Sequence, residues 1–292
     1  MPGLTLTSGD WQAGLLPSGG MLTGLTFRGT PVLRSMASGS TDPLDSACFP
    51  EIPYANRIRG GRFTWQEADV QLPHNVPPES SSLHGLGWQS EWAIESHREF
   101  KCALEHYHVG IGPAPFGPEI TTWPWAYQAE QRVRLGPKGC AISLGITNRS
   151  NVPMPTGLGL HPTFRRRPET RVQFGSGGMI LTDNALIPVG TIASSDHFAD
   201  WARGTTLPDY TIDHCFMKWD GLARIEDDLG SITITARGAP FLHVYAPADG
   251  SALCLEPVSH MPDALNQDPA GMIALPPACS AGLQVWIAAC DK

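Results

Sequence analysis

Short runs in which apolar and polar side chains alternate, each ended by turn-forming residues, constrain the fold of this chain more than any other feature. Residues 127–135 and 140–147 alternate in this way on either side of the tetrapeptide GPKG. A strand with one covered face buries every second side chain, so these runs predict an antiparallel hairpin with a four-residue connection. The same pattern predicts further strands at residues 231–237, 241–245, 252–255 and 283–288.

Helical periodicity is scarce along the chain. Residues 195–203 have room for one or two helical turns and residues 261–266 for another, but no long segment repeats its apolar residues every three to four positions. This excludes alternating strands and helices around a parallel sheet. We therefore predict an all-β fold, a large antiparallel β-sandwich with few short helices. Because no change in composition marks a boundary, residues 1–292 are expected to form a single domain.

Composition and charge exclude several classes of partner. The net charge is −8, which argues against binding to nucleic acid or to an anionic membrane surface. No apolar run reaches the length of a membrane span, and the first residues, MPGLTLTSGDW, do not resemble a secretory signal. The seven cysteines are scattered and form no CxxC pair. They are therefore expected to be reduced thiols in a cytoplasmic protein.

Four segments place polar side chains within apolar sequence framed by glycine and proline. Histidine and carboxylate groups can transfer protons near neutral pH. A lone histidine among apolar neighbours is usually a packing residue, and a glutamate before proline is usually an exposed edge charge. Here one arginine, two histidines and one glutamate occur together, which favours an acid–base site. The segments are residues 53–58 (PYANRI), 83–88 (LHGLGW), 157–164 (GLGLHPTF) and 252–257 (ALCLEP).

In this order, the segments resemble the aldose 1-epimerase (galactose mutarotase) family over nearly the whole chain. The sequence departs from the family pattern at Thr163, where an aromatic residue is usual, and at residues 48–53 (CFPEIP), which lack the usual Gly-Arg pair. The resemblance is carried by Asn56-Arg57-Ile58 with Gly61 and Phe63, by His84-Gly85, by His161-Pro162 with Phe164, by Asp213-His214, by Glu256, and by Ser18-Gly19-Gly20.

The resemblance implies a galactose mutarotase-like supersandwich and an isomerase that interconverts the α and β anomers of a free aldose. It makes Glu256 the base and His161 the acid. Arg57, His84 and Asp213 would bind the sugar, and His84 could share protonation of the ring oxygen with His161. A carboxylate beside an imidazole favours the imidazolium, so we also predict that Glu256 raises the pKa of His161. The expected partner is a small-molecule sugar, with no metal and no cofactor.

Two other functions remain open at this point. Arginines hold phosphate well, so residues 165–167 (RRR), just after the predicted acid, would suit a phosphosugar 1-epimerase. A non-catalytic carbohydrate-binding or sugar-sensing protein could use the same sandwich, although it would have no need for paired acid and base groups.

Two further sets of residues invite a functional interpretation. His106 and His108 would project from one face of a strand, as metal ligands do, but a third ligand at a matching spacing is missing. Sugar rings stack on aromatic faces, and three tryptophans in turn-rich sequence are candidates for that contact as well as for simple packing: Trp88, Trp123 and Trp125.

Overall fold

The structure, a computed structural model, describes residues 3–66, 68–110 and 122–292. In these residues the strands are β1 (Leu4–Ser8), β2 (Trp11–Leu16), β3 (Met21–Phe27), β4 (Thr30–Leu33), β5 (Pro50–Glu51), β6 (Arg57–Ile58), β7 (Arg62–Trp65), β8 (Ala68–Gln71), β9 (Ser82–Leu83), β10 (Ala93–Arg98), β11 (Lys101–His108), β12 (Tyr127–Gly136), β13 (Gly139–Asn148), β14 (Met154–Thr156), β15 (Gly159–Leu160), β16 (Arg171–Phe174), β17 (Gly178–Thr182), β18 (Pro188–Ala193), β19 (Thr205–Thr206), β20 (Ile212–Met217), β21 (Leu222–Asp227), β22 (Gly230–Arg237), β23 (Phe241–Ala246), β24 (Cys254–Val258), β25 (Ile273–Leu275) and β26 (Ser280–Cys290).

Helices are few and short in the described part of the chain. The α-helix α1 (Ala264–Gln267) follows β24 and overlaps the predicted turn at residues 261–266. The predicted turn at residues 195–203 appears as a 3₁₀ helix at Trp201–Arg203. Other 3₁₀ helices lie at Pro43–Asp45, Arg59–Gly61, Gly87–Gln89 and Pro269–Gly271.

Antiparallel sheets dominate the architecture. A nine-stranded sheet runs in the order β10-β11-β12-β13-β26-β22-β21-β16-β19, and a seven-stranded sheet in the order β18-β17-β20-β23-β24-β15-β5. A four-stranded sheet contains β1 to β4 in sequence, and the pairs β6-β9, β7-β8 and β14-β25 are smaller. The predicted all-β, antiparallel fold is therefore confirmed.

The hairpin of β12 and β13 is tighter than the sequence pattern predicts. Gly136 pairs with Gly139 at the end of the ladder, so only Pro137 and Lys138 form the turn instead of the predicted four residues. Gly139 has φ +145°, and a Cβ there would lie 2.2 Å from the carbonyl oxygen of Ile287 on the neighbouring strand. The glycine therefore continues the strand and allows close approach, because it has no side chain.

The hydrophobic core joins the nine-stranded and seven-stranded sheets. Ile142, Leu144 and Ile146 alternate along β13 and are buried in the same cluster as Leu242 and Val244 of β23. Each strand thus turns one set of side chains to the core, as the period of two requires. The opposite face of β23 is left for other contacts.

One feature of the helices bears on membrane association. Within residues 3–66, 68–110 and 122–292, none of the helices has the length and apolar character that crossing a lipid bilayer demands.

Candidate active site

The pleat of the seven-stranded sheet brings polar side chains to one face. Tyr245 of β23 pairs with Asp213 of β20, and His243 of β23 pairs with Glu256 of β24. Residues opposite each other on antiparallel strands project to the same face, as do residues two apart. The face of β23 opposite the core therefore carries a carboxylate or an imidazole on three adjacent strands.

The remaining side chains come from connecting segments at the edge of this face. Arg57 lies in β6, which pairs with β9, and His84 follows β9 directly. His84 has φ +56°, a left-handed conformation that few residues adopt. His161 follows β15, where its ring stacks on Phe49 with 4.4 Å between ring centres.

These segments enclose a cavity of about 580 Å³, a volume typical of small-molecule sites. All five residues predicted for the site line it: Arg57, His84, His161, Asp213 and Glu256. The wall also includes residues to which the sequence analysis gave no role in the site, among them Arg34, Asn56, Glu79, His243, Tyr245 and Cys254.

Glu256 and His161 are in contact within this cavity. Glu256 Oε1 lies 3.2 Å from His161 Nε2; the Glu256 side chain is buried, and that of His161 is 14% exposed. Burial raises the pKa of Glu256 well above its usual value, and the charges of Glu51 and Asp213 act in the same direction. Burial, together with the nearby imidazole of His84, lowers the pKa of His161 to about 3.

The prediction that Glu256 raises the pKa of His161 is therefore wrong. Burial disfavours both the carboxylate and the imidazolium, and the neighbouring imidazole of His84 further disfavours a charge on His161. The consequence is a pair that shares one proton across the contact rather than an ion pair.

Asp213 is held by a histidine that the sequence analysis missed. His243 Nε2 lies 2.7 Å from Asp213 Oδ1, and His243 Nδ1 lies 3.5 Å from Asn56 Nδ2. Burial acts to raise the pKa of Asp213, but the bond and charge of His243 outweigh it, so the pKa is lowered. The signal was present in the strand FLHVY, where one imidazole interrupts an apolar run.

Arg57 has an acidic neighbour of its own at the cavity wall. Its Nη2 lies 3.3 Å from Glu79 Oε1, and the arginine side chain is nearly buried. The Nε atom of Arg57 is buried without a hydrogen-bond partner among the described residues. Such a donor is costly to bury unless a ligand or water satisfies it.

A second carboxylate lies behind the cavity. Glu51 of β5 is wholly buried, and its Oε1 is in direct contact with His84 Nδ1. Burial acts to raise the pKa of Glu51, but the His84 imidazole outweighs that effect and the pKa is lowered. Glu51 occupies the segment in which the sequence departs from the family pattern.

Possible metal ligands come together at a different place from the pair considered in the sequence, His106 and His108. In the described residues, side-chain atoms of His161, Cys254 and Glu256 lie within 4.8 Å of one another and could hold a metal ion. His106 Nδ1 instead contacts the carbonyl oxygen of Glu91 at 3.2 Å. His108 Nε2 contacts that of Trp123 at 2.7 Å.

The hypothesis that tryptophans stack on the sugar is wrong for all three candidates. Trp123 and Trp125 are buried against each other with 5.2 Å between ring centres, and neither lines the cavity. Trp88 is buried beneath the site, where it stacks on Phe49. Tyr245 is the aromatic residue that the cavity wall presents among the described residues.

The three arginines at residues 165–167 face away from the cavity. Arg165 forms a two-point ion pair with buried Asp227, at 2.7 and 3.0 Å. Arg166 donates to the carbonyl oxygens of Pro247 and Ala252, and Arg167 pairs with Asp228. None of the three lines the cavity.

Comparisons with known proteins identify the family of this chain and proteins that share its fold. The sequence profile of the family described as aldose 1-epimerase matches residues 2–284. The uncharacterized protein YphB of Escherichia coli (strain K12) is 31% identical over 285 residues, which cover 94% of this chain and 93% of that protein. A crystal structure from Escherichia coli K12, provisionally named an aldose 1-epimerase, has a TM-score of 0.89 at 28% identity and covers 100% of this chain and 99% of its own.

A more distant structure shares the fold. Galactose 1-epimerase from Lactobacillus acidophilus NCFM has a TM-score of 0.80 at 16% identity and covers 99% of this chain and 94% of its own. The resemblance predicted from the sequence motifs is confirmed. By the extent of the profile match and the identity to its relatives, this chain belongs to the aldose 1-epimerase family.

Proposed function

We propose that this protein is an aldose 1-epimerase that interconverts the α and β anomers of a free aldose, with Glu256 as the base and His161 as the acid. The observation that carries the proposal is the contact between these two groups, 3.2 Å between Oε1 and Nε2, in a cavity that is also lined by Arg57, His84 and Asp213.

The reaction needs one proton removed and one supplied. In the form of the pair whose shared proton lies on His161, the Glu256 carboxylate takes the proton of the C1 hydroxyl, and the freed electron pair forms the C1 carbonyl. The bond between C1 and the ring oxygen breaks, its electron pair passes to the ring oxygen, and His161 protonates that oxygen. Rotation about C1–C2 and the reverse steps then give the other anomer. Each positioned proton transfer contributes typically about 10²- to 10⁴-fold.

The proton count of the pair suits this chemistry. A neutral carboxylic acid with a neutral imidazole, and a carboxylate with an imidazolium, differ only in the position of one shared proton. The reaction consumes one proton and returns one, so the pair ends each ring opening with the proton count that it had at the start. No external proton donor is required.

Three further residues are proposed to bind the sugar. Asp213 offers an oxygen to accept from hydroxyls while His243 holds the other, and Arg57 offers a planar donor group. His84 presents its ring at the same cavity. Together they would orient the ring so that C1 and the ring oxygen meet Glu256 and His161.

The charges around the cavity favour a neutral sugar over a phosphosugar. Residues 165–167 are engaged with carboxylates and carbonyl oxygens elsewhere, and Arg57 is paired with Glu79. Arg34, also at the wall, donates to the carbonyl oxygens of Ser46 and Leu44. A phosphate dianion would need donors that are not already committed.

Polarimetry tests the proposal directly. Freshly dissolved α-D-glucose, α-D-galactose, α-D-xylose and L-arabinose, and separately glucose 6-phosphate, would be followed with wild type and Glu256→Gln, with and without EDTA. We expect faster relaxation of a free sugar, lost in the variant and unchanged by EDTA. Acceleration of the phosphate ester alone would favour the phosphosugar enzyme. Binding of a sugar without any acceleration would favour the binding protein.

A further inference from the structure

We propose that Glu51 is a positioning residue for the site: it keeps a proton on Nδ1 of His84 and so presents Nε2 of that ring to the sugar. This proposal deepens the proposed function and rests on it for its catalytic consequence. The juxtaposition itself, a buried carboxylate against a buried imidazole, is independent of what the cavity binds.

Burying the carboxylate of Glu51 costs folding free energy. It is wholly buried in the short strand β5, and neither carboxylate oxygen has a partner with hydrogen-bond geometry among the described residues. A buried carboxylate that lacks partners destabilises a fold unless an opposite charge or donor compensates it. The contact of Oε1 with His84 Nδ1 is the compensation that the structure offers.

The contact constrains where the His84 proton lies. Nδ1 without a proton would place two electron-rich atoms, the ring nitrogen and a carboxylate oxygen, in direct contact, which is repulsive. The backbone N–H of Asn56 also approaches Nδ1, with 3.2 Å between the nitrogens, and would favour an unprotonated Nδ1. The ionised Glu51 decides between these arrangements, because a carboxylate is the stronger partner for a ring N–H.

The surrounding backbone is shaped to admit this carboxylate. Gly159 of β15 lies beside it, and a Cβ at that position would come within 2.0 Å of Glu51 Oε2. On the other side, Gly85 has φ +71°, and a Cβ there would lie 2.2 Å from the carbonyl oxygen of Ile52. Gly159 thus leaves room for the Glu51 carboxylate, and Gly85 lets the segments that bear Glu51 and His84 come together.

In a neutral imidazole, a proton held on Nδ1 leaves Nε2 as the hydrogen-bond acceptor. A histidine that donates from Nδ1 to a carboxylate presents Nε2 in a single orientation to its ligand. Residues that orient a reacting group from behind typically affect activity about 10- to 100-fold when they are removed. Glu51 does not line the cavity, so it would act on the sugar through groups that do: through His84 by direct contact, and more weakly through the effect of its charge on Glu256.

The tautomer of His84 provides the first test. Long-range ¹H–¹⁵N correlation spectra of histidine-labelled protein would be recorded, with the His84 signals identified by their loss in His84→Asn. We expect Nδ1 to carry a proton in wild type and in Glu51→Gln, which retains an acceptor oxygen. In Glu51→Leu the proton should move to Nε2, leaving Nδ1 to accept from Asn56. An unprotonated Nδ1 in the wild type would overturn the proposal.

Kinetics provide the second test, with the melting temperature measured for each variant. We expect Glu51→Leu to lower kcat/KM by about 10- to 100-fold, and to cause a much smaller loss in the His84→Asn background. An equal loss in both backgrounds would show that Glu51 does not act through His84. If the wild type accelerates no sugar, the proposed function fails, but the spectra still decide whether Glu51 sets the tautomer.

Discussion

Glu256 and His161 share one cavity wall, with Oε1 and Nε2 3.2 Å apart and neither side chain more than slightly exposed. Two different elements bring them there: Glu256 lies within β24, and His161 follows β15, the next strand of the sheet. Each group lies where burial disfavours its charged form. The catalytic and stability consequences of this contact can be separated experimentally.

Replacing Glu256 by glutamine should abolish turnover while stabilising the fold. Glutamine keeps the shape but cannot accept a proton, so kcat should fall about 10²- to 10⁴-fold. The pKa of Glu256 is raised in the folded state, so the folded protein binds more protons than the unfolded chain above the ordinary glutamate pKa. Wild-type stability therefore decreases as the pH rises from about 4.3 toward the folded pKa.

Glu256→Gln has no ionisable group at this position, so its stability should not decrease in this way as the pH rises. At pH 8 its free energy of unfolding should exceed that of wild type by about 1 kcal/mol, and the difference should shrink at pH 4. Thermal unfolding at both pH values measures this. Glu226→Gln, on the exposed face of β21, is the matched control and should change neither turnover nor stability. A glutamine variant that is less stable at pH 8 would contradict the proposed burial cost.

Activity should show no fall near pH 6.5 of the kind that protonation of an ordinary histidine causes. The shared proton means that loss on the acid side requires a second proton, which His161 accepts with a pKa lowered to about 3. We expect kcat/KM to stay level from pH 5 to pH 8, after subtraction of the spontaneous rate. A decline centred near 6.5 that disappears in His161→Asn would show that His161 titrates as an ordinary histidine.

Removing His243 should weaken sugar binding more than it slows the chemistry. His243 donates to one oxygen of Asp213 and fixes the other toward the cavity. A hydrogen bond to a charged group contributes about 1.5–3 kcal/mol, so His243→Leu should raise KM about 10- to 100-fold. Polarimetry over a range of sugar concentrations separates KM from kcat.

A matched variant distinguishes orientation from packing. His243→Gln keeps an N–H donor and should restore much of the affinity lost in His243→Leu. In the Asp213→Asn background, His243→Leu should cost little more, because the group that it positions has already lost its charge. A large additional loss there would indicate that His243 contacts the sugar itself.

The sequence contains the strands and the five predicted site residues in readable form, for a physical reason. Alternating burial has a period of two, and the polar residues that interrupt it at Glu256 and Asp213 lie on the face opposite the core. The arginine and the two histidines stood out as polar side chains in apolar segments framed by glycine and proline, whereas Asp213 was found only through the resemblance to a family. The connection of the hairpin was predicted to be four residues long, two too many, because Gly136 and Gly139 pair with each other as the last rung of the ladder.

Other parts of the site depend on contacts between distant segments. Glu51 meets His84 because the residues that follow them, Ile52 and Gly85, form an isolated β-bridge, and no local pattern specifies that pairing. The pKa of His161 was predicted in the wrong direction because desolvation depends on the whole enclosure rather than on the nearest charge.

Gly159→Ala tests whether the backbone is shaped around the buried carboxylate. The added methyl would lie 2.0 Å from Glu51 Oε2, so the variant should be destabilised by about 1–3 kcal/mol and should lose activity as the carboxylate is displaced from His84. Gly136→Ala is the matched control, since nothing lies within 4 Å of a Cβ there. In the Glu51→Ala background the overlap is absent, so Gly159→Ala should then cost much less stability. An undiminished cost would mean that Gly159 is required by other neighbours, such as Ala55, whose Cβ is 3.0 Å away.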